Sequence, residues 1–370
     1  MSLSARLAPL ALALLPLGLP TGAAAYDQRL DCWDTDGLPA PVIAQCLKAA
    51  SNIDASRAAY QAQNYAVARA EALAARDLVP DWHVPVIDLS WIEAAEGNVE
   101  AAVLLAEEGL ALAPGNPWAL EQALMTRRDA GRGDECGPAA ALLAVVAPPT
   151  DSHMFGTVAL CMQDIAAWPE AKVAYEHALV VGEDVYWANL RLAEVNAQLD
   201  DWPAVEAAAR AALEASPSEL EPVRHLGHAL VRQDRNDEAL ALYRQQEAAI
   251  RSAEDDWGVP NAISWDLYLD GDLTNALMIM ERWAEDQTDP VDAYQGYDTL
   301  AHVYAATGRP DEALRYFTLA LDDWPEGMEP FYRERLAALG ITAGPDRAGL
   351  LAGLGDCARR GAACRLYDGR

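Results

Sequence analysis

The segment from residue 304 to residue 325 reads YAATGRPDEALRYFTLALDDWP and decides the fold. Gly308 is suited to end one helix in a tight turn, and Pro310 suits the first turn of the next helix, where its missing N–H costs nothing. The small side chain of Ala313 lets neighbouring helices approach, and aromatic Phe317 fills the space between them. The segment therefore predicts two antiparallel helices joined by a short turn.

The same spacing recurs through most of the chain. Pro80, Pro114 and Pro148 lie 34 residues apart, and the next terminal proline, Pro217, follows 69 residues later, close to two further units. One helix pair cannot bury all of its apolar surface alone, so successive pairs must stack to form a core. Eight units are indicated by these landmarks: Tyr65 with Ala72; Gly97 with Ala102; Gly131; Trp168 with Ala171; Trp202 with Ala209; Gly227 with Ala239; Gly271 with Ala276; Gly308 with Ala313.

This repeat resembles the tetratricopeptide repeat, a 34-residue pattern with a Trp or Tyr, a Leu-Gly pair, small and aromatic residues and a closing Pro. The unit from Tyr304 to Pro325 matches the pattern best, with Pro325 ending its second helix, and Leu226-Gly227 supplies the Leu-Gly pair in another unit. The resemblance covers roughly residues 48–329. It implies an all-α, right-handed superhelical solenoid of about eight helix–turn–helix repeats with a concave groove. The alternative is a generic Ala-rich helical bundle.

The charge balance argues against nucleic acid as a partner. The chain has 57 acidic and 27 basic residues, a formal net charge of −30. Such a chain repels nucleic acid and anionic lipid at long range. A hydrophobic fraction of 52% with only three Phe fits the helical interpretation, because the apolar residues are mainly Ala and Leu, which are strong helix formers.

The first residues read as a secretory signal peptide. Arg6 supplies the positive start, Leu7 to Leu19 form a short apolar stretch, and small Ala23 to Ala25 predict cleavage after Ala25, before Tyr26. The apolar stretch is too short to span a bilayer comfortably, so we expect no stable membrane anchor, with a retained anchor as the alternative. The sequence therefore predicts a periplasmic or secreted protein.

Six cysteines follow the predicted signal peptide: Cys32, Cys46, Cys136, Cys161, Cys357 and Cys364. An even number in an exported chain favours disulfides, although six cysteines allow fifteen pairings. Their neighbours in sequence suggest three local bridges, from Cys32 to Cys46, from Cys136 to Cys161 and from Cys357 to Cys364. The last pair cannot bridge within one straight helix, because seven residues rise by about 10.5 Å, so we expect a turn at Gly361.

The predicted organisation has four parts. A signal peptide (1–25) precedes a disulfide-stapled N-terminal cap (26–47), the solenoid (48–329) and C-terminal capping helices with a cysteine pair (330–370). The first capping helix is predicted to begin at Glu329.

No catalytic, cofactor or metal site stands out in the sequence. There is no GxGxxG, phosphate-binding loop, GxSxG or CxxC pattern. His225 and His228 share one helix face but lack the further ligands that a metal site needs. We therefore predict a protein that is not an enzyme and binds neither a cofactor nor a metal.

Aligning the repeats places one stripe of each first helix on the predicted concave side. Tryptophan and arginine dominate binding hot spots, because each buries much area and offers directional donors. The stripe contains Arg57, Tyr60, Trp91, Trp118, Met125, Arg128, Trp187, Glu194, Arg224, His228, Arg232, Trp265, Tyr268 and His302.

We expect the main binding patch within residues 187–302 of this stripe, where Arg224 and Arg232 would bind a carboxylate. The function that this predicts is a scaffold that holds a protein or peptide partner in its groove, within an envelope assembly. One alternative is a glycan- or peptidoglycan-associated helper or hydrolase that uses groove tryptophans and carboxylates. Another is a self-associating structural module, and the tryptophans could also simply pack between helices.

Overall fold

The computed structural model describes residues 31–252, 258–285 and 293–366, so the predicted signal peptide lies outside the described residues. All regular structure in this described part is helical, with 18 α-helices, two short 3-10 helices and no strand. None of these helices combines the length and the apolarity needed to cross a membrane. The chain divides into two compact units at residue 199/200, which are described separately below.

The described part of the N-terminal unit has nine helices. They are α1 (Ala40–Gln61), α2 (Tyr65–Leu78), α3 (His83–Ala95), α4 (Val99–Leu112), α5 (Pro117–Asp129), α6 (Gly137–Val146), α7 (Ser152–Asp164), α8 (Trp168–Val181) and α9 (Val185–Gln198). Each helix packs against the next along the chain. First helices of successive pairs also contact each other, since α1 contacts α3 and α3 contacts α5.

The described part of the C-terminal unit also has nine helices. They are α10 (Trp202–Ala215), α11 (Glu221–Val231), α12 (Asn236–Ser252), α13 (Gly258–Asp270), α14 (Leu273–Glu285), α15 (Tyr294–Ala306), α16 (Pro310–Asp323), α17 (Pro325–Ala338) and α18 (Arg347–Arg359). Here α11 contacts α13, α13 contacts α15, and α18 packs against α15, α16 and α17.

The backbone repeats the sequence period at the turns between helices. A left-handed residue lies in each of nine turns, and five of the nine are glycines, as their positive φ favours. The spacing is about 34 residues through the first six turns and slightly longer at the next two, which agrees with the sequence period. The nine residues are Gln63, Gly97, Gly131, Ala166, Asp200, Asp234, Gly271, Gly308 and Gly340.

The Leu-Gly pair identified in the sequence has a steric cause. Gly227 lies where α11 approaches α13, and a Cβ there would fall 2.5 Å from Cγ1 of Ile263. Small residues serve the same purpose elsewhere, since Ala68, Ala209 and Ala276 are fully buried. Close approach of helices therefore selects the small residues that made the repeat visible.

Buried carboxylates link first helices of neighbouring pairs within each unit. In the N-terminal unit Asp88 on α3 binds Arg57 on α1, and Glu121 on α5 lies 2.7 Å from Nδ1 of His153 on α7. In the C-terminal unit the hydroxyl of Tyr332 on α17 donates to Oδ1 of Asp298 on α15 at 2.7 Å. Each of these three links joins two neighbouring helix pairs on the face that the sequence assigned to ligands.

Two of the three suggested disulfides are present. Cys32 is bonded to Cys46, and Cys357 to Cys364, with the turn between the latter pair at left-handed Gly361. The predicted boundary at residue 47/48 nevertheless falls inside α1, so the cap shares a helix with the first repeat.

The predicted third disulfide is replaced by two free thiols. Cys136 and Cys161 are fully buried, and their thiols are in hydrogen-bonding contact. This hydrogen bond lowers the pKa of Cys136 and raises the pKa of Cys161, as expected when one thiol donates to the other. Because both cysteines are free, the interpretation of these two residues as a disulfide was wrong for this structure.

The C-terminal capping helix begins earlier than the sequence suggested. Pro325 does not simply end α16, because it occupies the first turn of α17, where a missing N–H is tolerated. Trp324 separates the two helices, and Pro330 lies inside α17. The predicted start at Glu329 was therefore about one turn late.

Candidate functional site

A cavity of about 640 Å³ lies in the N-terminal unit, among residues of the N-terminal segment, α1, α3 and the start of α5. Cavities of this size accommodate small molecules or a few residues of a peptide. We call it the N-terminal cavity. Its lining residues are Asp31, Trp33, Ser56, Arg57, Tyr60, His83, Val84, Ile87, Asp88, Trp91, Ile92, Asn116, Pro117 and Trp118.

Three tryptophans of this cavity are exposed to solvent. The exposed fraction is 51% for Trp33, 36% for Trp91 and 55% for Trp118, whereas Trp82 beside the cavity is fully buried. Trp33 packs edge-on against Trp82, with ring centroids 5.2 Å apart. Exposed indole rings around a concavity are typical of binding surfaces rather than of a core, because burying them only on contact supplies binding energy.

The disulfide between Cys32 and Cys46 holds the wall that contains Trp33. Cys32 is buried, and its partner on α1 is buried too, so the segment before α1 is tied to that helix. The backbone N–H of Trp33 also donates to Oδ1 of Asp31 at 2.9 Å. The disulfide and this local turn therefore fix the backbone of Trp33 at the wall of the cavity.

A salt bridge forms the polar floor of the cavity. Nε and Nη2 of Arg57 donate to the two carboxylate oxygens of Asp88 at 2.9 and 3.0 Å. The guanidinium carbon of Arg57 also lies 5.1 Å from the ring centroid of Trp33, within cation–π range. Burial raises the pKa of Asp88, and the hydrogen bonds and charge of Arg57 act against this rise. The pair is thus a fixed, bidentate element that positions the guanidinium under an aromatic ring.

The remaining polar groups of the cavity are already engaged or, like the imidazole of His83, are uncharged. Oγ of Ser56 donates to the carbonyl of Ala68 at 2.8 Å, and Oδ1 of Asn116 accepts from the N–H of Ala119. Burial lowers the pKa of His83, so its imidazole is neutral at neutral pH. The cavity consequently offers aromatic faces and N–H groups rather than vacant carboxylates.

Three residues of the predicted stripe lie at a second, smaller cavity of about 350 Å³ in the same unit. Met125, Arg128 and Trp187 all line it. Nε of Arg128 donates to Oδ2 of Asp164 at 2.5 Å, and a Cβ at Gly156 would lie 3.3 Å from the ring of Trp187. Trp187 therefore covers a helix surface, and Arg128 is held by an acid of its own unit.

The cationic residues predicted to bind a carboxylate are engaged within the C-terminal unit. Arg224 pairs with Glu221, and the guanidinium carbon of Arg232 lies 4.8 Å from the ring centroid of Trp202. His228 packs on the same ring and has its Nδ1 2.8 Å from Oδ2 of Asp266. The chain itself thus supplies the partners that a ligand was expected to supply.

The last predicted groove residues are buried. His302 is fully buried, and Tyr268 is 3% exposed. Nδ1 of His302 lies 2.7 Å from the carbonyl oxygen of Asp298, and the backbone N–H of Leu366 donates to its Nε2. His302 therefore joins the C-terminal segment to α15, and because both side chains are buried, the hypothesis that His302 and Tyr268 contact a ligand was wrong.

Trp265 is the predicted residue of this unit that reaches a cavity. Its ring lies 5.1 Å from that of Tyr268, tilted by 32°, and it lines a cavity of about 500 Å³ with large apolar neighbours. Those neighbours are the aromatic residues Tyr294, Trp324 and Phe331, together with Met328.

His225 and His228, considered above as a metal-binding pair, contact different carboxylates. Nε2 of His225 lies 3.7 Å from Oε1 of Glu221, whereas His228 faces Asp266. The two imidazoles, although spaced i,i+3, therefore do not point to a common metal position.

Sequence reasoning included Arg57, Tyr60, Trp91 and Trp118 in the stripe but placed the main patch elsewhere. It missed Trp33, which precedes the first helix and has no place in the repeat pattern. The cysteine next to it was the available signal, because a disulfide in a terminal segment indicates that the segment is held in a fixed position.

Among models of known protein families, one described as "Tetratricopeptide repeat" matches residues 297–329 of this chain. No curated protein matches the chain. Among solved structures, a tetratricopeptide repeat protein from Parabacteroides merdae is 13% identical, with 77% of this chain and 97% of that chain covered and a TM-score of 0.41.

Two further solved structures are similar at the same level. PilF of Pseudomonas aeruginosa is 14% identical, with 58% of this chain and 96% of that chain covered and a TM-score of 0.49. MamA from Desulfovibrio magneticus is 15% identical, with 56% and 97% covered and a TM-score of 0.34.

Proposed function

We propose that this chain is an exported scaffold that binds a segment of a partner protein in its N-terminal cavity. A tetratricopeptide repeat matches residues 297–329, and this fold typically serves as a scaffold for protein interactions. The observation that carries the proposal is the set of three exposed tryptophans around one concavity. Each of these side chains, Trp33, Trp91 and Trp118, is at least 36% exposed, and all three line this cavity.

The cavity suits a peptide because it combines apolar area with fixed polar anchors. Large aromatic side chains in a desolvated pocket supply most of the binding energy in protein interfaces. The salt bridge between Arg57 and Asp88 keeps the floor rigid, so a ligand need not order it. A short segment of a partner chain could therefore bind without rearrangement of the helices.

Export is supported by the predicted signal peptide and by disulfides near both ends of the described chain. Disulfides persist in oxidising compartments and are rare in the cytosol. The bonds from Cys32 to Cys46 and from Cys357 to Cys364 fit this environment. Fractionation of cells followed by N-terminal sequencing tests the proposal: the exported protein should begin at Tyr26, and a cytosolic protein that retains its first residues would contradict it.

A quantitative capture experiment tests the binding site. The wild-type chain, a Trp91→Ala/Trp118→Ala variant and an Arg224→Ala/Arg232→Ala variant are used as baits in the envelope fraction, and captured proteins are quantified by mass spectrometry. The tryptophan variant should lose the specific partner by about tenfold or more, since hot-spot truncations commonly cost over 1.4 kcal/mol. The arginine variant should retain the partner, because those arginines are paired within the chain.

The opposite pattern, with the arginine variant impaired and the tryptophan variant unaffected, would move the site to the C-terminal unit. Circular dichroism of each variant is the control for folding. The partner is then purified, and its affinity for the three chains is measured directly.

A glycan-binding function is the second candidate, since exposed tryptophans also stack on sugar rings and the cavity contains Asp31 and Asp88. Hydrolysis would need a carboxylic acid that donates a proton. Burial raises the pKa of Asp88, but both of its carboxylate oxygens already accept hydrogen bonds from Arg57, so neither is placed to give a proton to a glycosidic oxygen. Calorimetric titration with soluble peptidoglycan fragments tests the alternative, and tight, tryptophan-dependent binding would favour it over a peptide.

A self-associating module would bury the same tryptophans against another copy. Light scattering of the wild-type and Trp91→Ala/Trp118→Ala chains separates this possibility from partner binding. Peptide binding predicts the same mass for both chains, whereas a larger mass lost in the variant would support self-association.

A further inference from the structure

The N-terminal cavity has an unequal supply of hydrogen-bond donors and acceptors. The indole N–H groups of Trp33, Trp91 and Trp118 and the hydroxyl of Tyr60 make no hydrogen bond to other described residues, whereas three lining acceptors are engaged. Those acceptors are Oδ1 of Asp31, which accepts from Trp33; the carboxylate of Asp88, which accepts from Arg57; and Oδ1 of Asn116, which accepts from Ala119. The cavity thus offers donors to a ligand and few acceptors.

This excess of hydrogen-bond donors favours some kinds of peptide segment over others as the ligand. An ordinary extended peptide brings one N–H and one C=O per residue, and a buried N–H without a partner costs free energy. Proline has no N–H, and its ring is a compact apolar face. A polyproline II segment exposes its carbonyls to the side and is already extended before binding, so it loses little entropy. Proline-rich segments bind to aromatic grooves in other domains for these reasons.

The segment that carries Trp33 adds a charge preference. Asp34 and Asp36 are exposed in the segment that carries Trp33, and Asp31 lines the cavity itself. Arg57, the positive charge of the cavity, is neutralised by its bidentate contact with Asp88. The surroundings of the site are therefore acidic, and they complement a ligand with basic residues.

We infer that the N-terminal cavity binds a proline-rich segment that carries arginine or lysine next to its prolines. The inference rests on the proposed function and specifies its ligand. Rings of the segment pack between the indoles of Trp91 and Trp118, its carbonyls accept from indole N–H groups and from Tyr60, and its basic residues lie near Asp34 and Asp36. A glycan fits this inventory less well, because sugar hydroxyls also need acceptors.

Isothermal titration of the full chain with three synthetic peptides tests the inference. The first peptide has about twelve residues with prolines in PxxP spacing and two arginines at one end; the second replaces prolines by alanine; the third replaces arginines by glutamate. The alanine peptide should bind about tenfold more weakly or worse. The glutamate peptide should bind several-fold more weakly at low salt, and this difference should shrink in about 0.5 M salt.

Protein variants make the test specific to the cavity. Trp118→Ala should weaken the first peptide by about tenfold. Trp324→Ala removes a comparably exposed tryptophan that lies outside this cavity and should leave the affinity unchanged. Equal affinity for the proline and alanine peptides, or an affinity insensitive to Trp118→Ala, would overturn the inference.

The two proposals can fail separately. A captured partner whose binding requires Trp91 and Trp118 through a segment without proline would overturn the ligand class and leave the proposed function intact. Tryptophan-dependent binding of peptidoglycan fragments, with no binding of any peptide, would overturn both.

Discussion

The N-terminal cavity and the face around His228, Trp265 and His302 in the C-terminal unit are built from the same residue types with opposite results. In the cavity, Trp91 and Trp118 are exposed. In the C-terminal unit, His302 and its neighbour Tyr268 are covered by the chain itself. Residue type and helix face therefore indicate where a side chain points, whereas its availability depends on what packs over it.

The difference arises from the chain segments next to each face. At the N-terminal unit, a disulfide-held segment adds Trp33 to the cavity as a wall and leaves its centre open. At the C-terminal unit, the residues after α18 reach back to α15, where Leu366 binds His302. One terminal segment extends a site, and the other closes a surface.

The largest predicted effect contrasts His302 with Trp118. His302→Ala should lower the free energy of unfolding by about 3 kcal/mol, because it leaves a small cavity and removes the partner of two buried backbone groups. Trp118→Ala should change stability by less than about 1 kcal/mol, since that side chain is 55% exposed. Urea unfolding measures both changes, and equal losses would remove the distinction between the two regions.

The disulfides sharpen the comparison. Cys32→Ser/Cys46→Ser should cost about 3 kcal/mol in the loop-entropy picture and also weaken partner binding, because Trp33 is then no longer held. Cys357→Ser/Cys364→Ser is the matched control and should cost stability without changing affinity. Denaturation and calorimetry together check this, and an unaltered affinity in the first variant would show that the wall is dispensable.

The left-handed turns predict a smaller effect of opposite sign. Ala166→Gly should raise stability by about 1 kcal/mol, because φ of +56° strains any residue with a Cβ. Asp234→Gly in the other unit should gain less, since Asp tolerates this conformation better. Ala207→Gly, within α10, should instead lose about 1 kcal/mol. Thermal unfolding gives the order, and a loss at Ala166 would contradict the backbone argument.

The smallest predicted effect is a titration. The hydrogen bond to Glu121 raises the pKa of His153, while burial lowers the pKa of His83. Protonated His153 therefore stabilises the fold. This contribution is complete below the pKa that His153 has in the unfolded chain, and it is lost as pH rises through the higher pKa that His153 has in the folded chain. NMR of the six histidines should show His153 titrating above His83, and Glu121→Gln should lower the His153 value; an unchanged value would contradict the pairing.

The repeat could be predicted from the sequence because helix contacts leave a visible trace of small residues. Gly308, Ala313 and Phe317 define a unit by size alone. The turns at Ala166 and Asp200 could not be identified as left-handed, since neighbouring helices impose that conformation on residues that do not favour it.

The site was harder to predict than the fold. Trp91 and Trp118 were on the correct helix face, but the burial of His302 depends on Leu366, 64 residues away in sequence. The predicted disulfide between Cys136 and Cys161 was wrong for a related reason. The two residues lie close together, as predicted, but their buried thiols are free. Periodicity thus locates side chains on elements, whereas terminal segments decide which of them remain accessible.

Hydrogen–deuterium exchange of the full chain, with and without the captured partner, tests the central claim most directly. The account predicts protection of the backbone around Trp33, along α3 and at the start of α5, with no change along α11 or α15. Protection confined to α11, α13 and α15, with the N-terminal cavity unchanged, would contradict it.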